Sequence, residues 1–335
     1  MTVTSIGDLA QSLVLRSRVT QIKTEITTLT GELASGQTAD LTGRLGNDLS
    51  HLTDIDRNLT RLRGFAIAAK EAQLFAAMAQ ESLGLLQNAT GPLANTLLQA
   101  TSTNVAEVRQ QASVQARVDL ETAISALNGQ VAGRSVFAGT ATDRMPLLTA
   151  DDLLAELRMV VAGQGTATDV AQAAAAWFDD PAGFTATIYQ GAATPLAAFQ
   201  VGPGQSVTLP VRADDAVLRD LLKDLAIAAL ADDPALALDA AEQTELYRRT
   251  GEGLIAGQDR LTGMRAELGY SEARIEAVLV RNTSEQNSYQ LARNALAQAD
   301  PFETAARLEE VQVQLEALYA VTVRTSNLTL LNFLK

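Results

Sequence analysis

Cysteine is missing from all 335 residues, and histidine and tryptophan occur once each. Without cysteine there is no disulfide, no thiolate nucleophile and no sulfur-based metal site. The single histidine, His51 in NDLSHLTDID, has Asp48, Asp54 and Asp56 for company. Metal binding or acid–base work needs partners that converge on one point, and a lone imidazole among helix-face carboxylates reads as a solvated surface residue. Basic residues are scarce too: 26 Lys and Arg against 39 Asp and Glu leave a net charge of −13. That balance argues against nucleic acid, whose affinity comes largely from cations neutralising phosphates, and against an anionic membrane surface. Long apolar runs are absent, since stretches such as DLAIAALADD fall far short of the roughly 20 residues that span a bilayer. The opening MTVTSIGDLAQS has no basic segment followed by an apolar one, so no cleaved signal peptide is expected.

Segments that hint at chemistry have simpler readings. TGEGLIAG (250–257) looks like a phosphate loop, but it follows no strand and lacks the Lys-Ser/Thr that would complete one. The pairs Asp151-Asp152, Asp179-Asp180, Asp214-Asp215 and Asp232-Asp233 fall at expected helix ends, where capping and the helix dipole account for them. None repeats oxygen ligands tightly enough for a calcium loop. No catalytic residue, metal site or cofactor is expected, and a soluble helical enzyme or ligand-binding bundle is a distant alternative.

What is present is helical periodicity. Apolar residues recur at Leu15, Val19, Ile22, Ile26, Leu29 and Leu33, and again at Leu308, Val311, Leu315 and Leu318, with Leu328 and Leu331 continuing toward the C-terminus. Alternating steps of three and four are a coiled-coil seam, not a strand pattern. The positions between are mostly Thr, Ser and Gln in the first helix, where a solitary solvated helix would carry Glu and Lys. Asp300-Pro301-Phe302-Glu303 starts the last helix with an N-cap Asp, Pro at the first helical position and Glu at the third. Neither amphipathic end can bury its stripe alone, but each can bury it against the other.

The rest also reads as long helix: about 47–98, with an interruption possible at Gly91-Pro92, about 104–130, and about 238–299. Between them, ADDLLAELRMVVAG and TATDVAQAAAAWFDD read as short helices, whereas GFTATIYQG and QSVTLPVRA alternate at period two among Gly and Pro, as strands do. The expected fold is mainly α, with long antiparallel helices, the N- and C-terminal helices paired as a coiled coil, and a small α/β insertion at the far end. The expected division is 1–40 with 300–335 as a terminal polymerisation domain, 41–140 with 214–299 as a helix bundle, and 141–213 as an inserted outer domain.

This plan, together with LTGELASGQ (29–37) and the closing DPFETAARLEEVQVQLEALYAVTVRTSNLTLLNFL, resembles the flagellin superfamily. GRSVFAGTATDRMPL (133–147) resembles the Gly-Arg-x-x-Phe-Ala-Gly-Thr turn of the hook-associated protein type 3 group, carried here by Gly133, Arg134, Phe137 and Gly139. The resemblance covers about 5–145 and 215–335. It implies a structural protein of the bacterial flagellum forming the hook–filament junction, with a filament-forming flagellin as the alternative. It further implies type III export to the cell exterior and a cytoplasmic export chaperone. The implied assembly partners are other copies in a ring, flagellin and hook-associated protein type 1. The terminal seam residues would be the assembly interface; no nucleic-acid partner and no membrane insertion are expected.

Overall fold

The computed structural model describes residues 6–45, 49–102 and 105–333. The chain runs through helices α1 (Ile6–Ser35), α2 (Leu41–Arg44), α3 (Ser50–Thr101) and α4 (Ala106–Leu127), then a hairpin of β1 (Gln130–Val131) and β2 (Arg134–Ser135). Helices α5 (Ala150–Val161), α6 (Ala167–Asp179) and α7 (Phe184–Thr187) precede a second hairpin, β3 (Phe199–Gly202) with β4 (Gln205–Val207). Helices α8 (Ala216–Leu230), α9 (Ala240–Ala297) and α10 (Pro301–Phe333) complete it. The fold is mainly α, as its periodicity indicates, with two small antiparallel sheets. No described helix is long and apolar enough to cross a membrane.

Packing separates two units, Met1–Leu62 with Ser284–Lys335, and Arg63–Thr283. In the first, α1 and α10 lie side by side. In the second, the 63–101 part of α3, α4, α8 and the 240–283 part of α9 surround a core that includes Phe75, Leu97, Leu120, Leu225, Tyr247 and Leu254. That core continues without a break into Phe137, Leu153, Phe178, Phe184 and Val201. Segment 141–213 therefore has no separate core of its own; its apolar faces close over the bundle.

Tertiary contacts decide several local features. Helix α3 continues without a break through Gly91-Pro92. Pro92 removes one backbone donor, but the surrounding turn is bound from α9, where Gln258 Nε2 donates to the Gln87 carbonyl at 3.1 Å. Buried Leu86, Leu93 and Leu97 on both sides keep the helix in register. Residues 183–191 depart from the strand expectation: Phe184–Thr187 form a helical turn, and only Tyr189 joins a bridge, to Leu147. Phe184 and Ile188, four residues apart, are both fully buried, so the helical spacing of these two outweighs the alternation around them. QSV does form a strand, paired with Phe199–Gly202.

The loop-like glycines of 250–257 lie inside α9. Their missing side chains permit close approach: a Cβ on Gly251 would stand 3.0 Å from Leu98, and one on Gly257 2.4 Å from Leu221. They are packing glycines, not a phosphate cradle. The acidic pairs sit at helix ends as expected. Asp152 closes a capping box with Thr149, Asp180 accepts from Ala182 N, and Asp233 accepts from Ala235 N.

Candidate functional site

The terminal helices form a continuous seam within one chain. Gly36, with φ +70°, takes the left-handed conformation that ends α1 after Ser35. The chain then doubles back: Gln37 bridges Gln298, Thr38 N donates to the Ala297 carbonyl at 2.8 Å, and Ala299 N donates to Gly36 O at 3.0 Å. The Glu32 carboxylate holds this turn by accepting from Ala39 N at 2.6 Å and from the Thr38 hydroxyl. Asp300 Oδ1 accepts from Phe302 N at 2.9 Å, which caps α10 as its Asp-Pro start implies. These contacts start the two helices side by side and antiparallel.

Ile22, Leu29 and Val311 are buried in the seam, with Ile26, Leu308, Leu315 and Leu318 packed against them. Thr304 is buried as well, and Arg307 meets Glu25 at 3.5 Å along one edge. Leu15 and Val19 are half-buried, while Leu33 is 44% exposed and stands outside the cluster. The side chains of Leu328 and Leu331 lie outside the described residues, as does Asp48 beside His51.

The outward face of α1 is chemically unusual. Thr20, Thr24, Thr27, Thr28 and Thr30 are all exposed, and each hydroxyl donates to the carbonyl four residues back at 2.7–3.1 Å. Their hydroxyl protons are engaged within the helix, so the face presents methyl groups beside hydroxyl oxygens that can still accept. Leu13 and Val14 on α1, and Val313, Val321 and Val323 on α10, add exposed apolar area away from the seam. The periodicity did not single these out, because Leu13 and Val14 precede the seam and the three valines fall between its positions. At the base of the pair, a polar cleft of about 560 Å³ is lined by Glu25, Glu32, Asp40, Arg44, Glu303 and Arg307 among others.

The Gly133–Gly139 turn belongs to the second unit. Ala132 (φ 50°) and Gly133 (φ 77°) both take positive φ, the requirement of a two-residue type I′ hairpin turn. The Arg134 guanidinium lies 5.1 Å from the centre of the Phe75 ring and pairs with Glu71. Phe137 is fully buried, and its carbonyl accepts from Ala213 N at 3.0 Å. Gly139 (φ +60°) is pressed against the 192–194 loop, where a Cβ would lie 2.4 Å from the Thr194 carbonyl. The turn fastens the hairpin to the 190–213 segment; Gly133 is exposed at its tip and Arg134 half-buried.

His51 is exposed, Asp54 pairs with Arg57, and Asp56 pairs with Arg293. Among the described residues no group of three or more acidic or histidine side chains could hold a metal ion.

The paired ends and the long-helix bundle can be set beside known structures. A crystal structure of Bacillus cereus FlgL aligns with TM-score 0.52 and 14% identity, over 72% of this chain and 98% of that one. The chain has the FlgL fold. A structure described as a flagellar hook-associated protein from Vibrio parahaemolyticus aligns with TM-score 0.49 and 11% identity, over 73% of this chain and 95% of that one. No protein-family model matches the sequence, and no curated protein matches it. Nearly the whole of FlgL has a counterpart here, so the resemblance read from LTGELASGQ, the closing helix and the Gly133–Gly139 turn extends to the architecture.

Proposed function

We propose that this chain is a structural protein of the bacterial flagellum that sits at the hook–filament junction and seats the filament. The observation that carries this reading is the fold shared with nearly the full length of FlgL. The Gly-Arg-x-x-Phe-Ala-Gly-Thr turn supports a junction protein over a flagellin. The paired α1 and α10 are the assembly element: Ile22, Leu29 and Val311 hold the pair together, and the methyl-bearing threonine face is free to pack against neighbouring copies. On this reading the protein works outside the cell after type III export, guarded beforehand by a cytoplasmic chaperone. Its partners are further copies of itself in a ring, flagellin on one side and hook-associated protein type 1 on the other. It catalyses nothing.

Electron microscopy of a strain lacking the gene tests this. Bare hooks, with flagellin shed into the medium, are expected. Normal filaments in that strain would sink the proposal, and growth of the purified protein into long filaments would favour a flagellin instead.

A further inference from the structure

Helices α8 and α9 touch at a point where a carboxylate is pressed against glycine. A Cβ on Gly253 would lie 2.3 Å from Asp224 Oδ2, so glycine leaves room for this side chain as it stands. Asp224 is 8% exposed. Two cations stand nearby, but both serve another carboxylate one turn away. Lys223 Nζ is 3.0 Å from Asp220 Oδ1, and Arg260 Nη1 from α9 is 2.5 Å from Asp220 Oδ2. Asp224 is left with Lys223 at 4.0 Å and with no hydrogen bond to its carboxylate among the described residues.

The same two cations thus divide unequally between two acids. Partial burial pushes Asp220 up, but the bonds from Lys223 and Arg260 outweigh it and hold this carboxyl below the ordinary range. Burial dominates at Asp224 and pushes it up to about 7; the attraction of Lys223 opposes this, the Asp220 charge adds to it, and Arg260 opposes it more weakly. Those three groups, from α8 and α9, are the charges that act on Asp224; α4, α5 and α6, which also pack against α8, bring none. Glu252, next to Gly253, is engaged with Arg248 on the solvent side.

We propose that Asp224 makes the α8–α9 contact a proton-sensitive latch, tightest when this carboxyl carries a proton and loosened once it ionises. A buried carboxylate without a matched cation is poorly tolerated, whereas the neutral acid fits the same space. The direction follows from linkage. A carboxyl raised above its unfolded value of about 3.9 stabilises the fold fully below that value. The contribution shrinks as pH rises and is gone above about 7. Through this contact the second unit loses stability as pH rises toward about 7.

Two measurements on the full chain decide it. Carbon-detected NMR of the aspartate carboxyls should show Asp224 titrating near neutrality, and Asp220→Asn should move that midpoint down by releasing Lys223 and Arg260 to Asp224. Urea unfolding of Asp224→Asn should give a midpoint that exceeds the wild type by a margin growing with pH, with about half a molar or more gained between about pH 5 and pH 8. A wild-type Asp224 that titrates in the ordinary carboxylate range, or an Asp224→Asn margin that stays constant with pH, overturns the proposal. The NMR titration decides the matter alone if the variant does not fold.

Discussion

At the scale of single residues, two glycines of one turn separate conformational need from steric need. Gly133 and Gly139 both hold positive φ, but a Cβ at Gly133 meets nothing within 4 Å, while one at Gly139 would overlap the Thr194 and Ala192 carbonyls. Gly133→Ala is expected to cost about 1 kcal/mol, the left-handed penalty alone. Gly139→Ala must in addition displace the 192–194 backbone and is expected to cost about 3 kcal/mol or more. Thermal unfolding of the two variants side by side checks this, and equal losses would show that the 192–194 loop yields freely. The same comparison bears on the turn's role: a segment whose Phe137 is fully buried contributes first to the fold, and only its tip can meet a neighbour.

At the scale of elements, α3 and the α1–α10 pair show packing overriding local preference. Pro92 in the interior of α3 leaves the Asn88 carbonyl, on an exposed residue, without its helical donor. Pro92→Ala restores that donor and should stabilise the second unit by about 1 kcal/mol or more, read as a higher urea midpoint; a lower one would mean that α9 is fitted to a bend at this proline. In the terminal pair, Val311 is 4% exposed in a seam only two helices thick. Val311→Asp places an uncompensated charge there, at a cost of about 3 kcal/mol or more, which so small a seam cannot absorb. Hydrogen exchange should then accelerate along α1 and α10 while protection in α4 and α8 stays unchanged. Loss of protection in α4 and α8 as well would show the two units to be one cooperative structure. On the proposed function the variant also fails to hold filaments on hooks.

At the scale of the whole molecule, the decisive fact is the single core shared by the bundle and segment 141–213. Phe137, Leu153, Phe184 and Val201 belong to one cluster with Phe75, Leu225 and Leu254. Separate melting of an inserted domain requires separate apolar contacts, and these are continuous. Excising residues 146–211 behind a short linker should uncover Val136 and Phe137 and abolish the cooperative transition of the second unit, read by calorimetry and near-ultraviolet circular dichroism. A shortened protein that melts as sharply as the full chain would establish the segment as an independent outer domain after all.

The sequence by itself determined what depends on neighbours three or four residues apart. The 15–33 and 308–318 repeats, the Asp300-Pro301 start and the mainly helical class could be read directly, because helix pairing and capping are governed by local spacing and by side chains that reach their own backbone. Only the tertiary structure decided the rest. Pro92 stays within one helix because Gln258 reaches this turn from α9 and because Leu86, Leu93 and Leu97 of α3 are buried in the shared core. Residues 183–191 are too short for their period to be unambiguous, and burial of Phe184 with Ile188 settled them as a helical turn. TGEGLIAG is a loop by composition and helix by context, because its glycines face Leu98, Leu221 and Asp224. Asp220 and Asp224 look alike in LRDLLKDL, one turn apart with Lys223 between them. Which of them claims the cations depends on Arg260, brought from α9 by the packing of two helices, and long-range placement of that kind leaves no mark in local sequence.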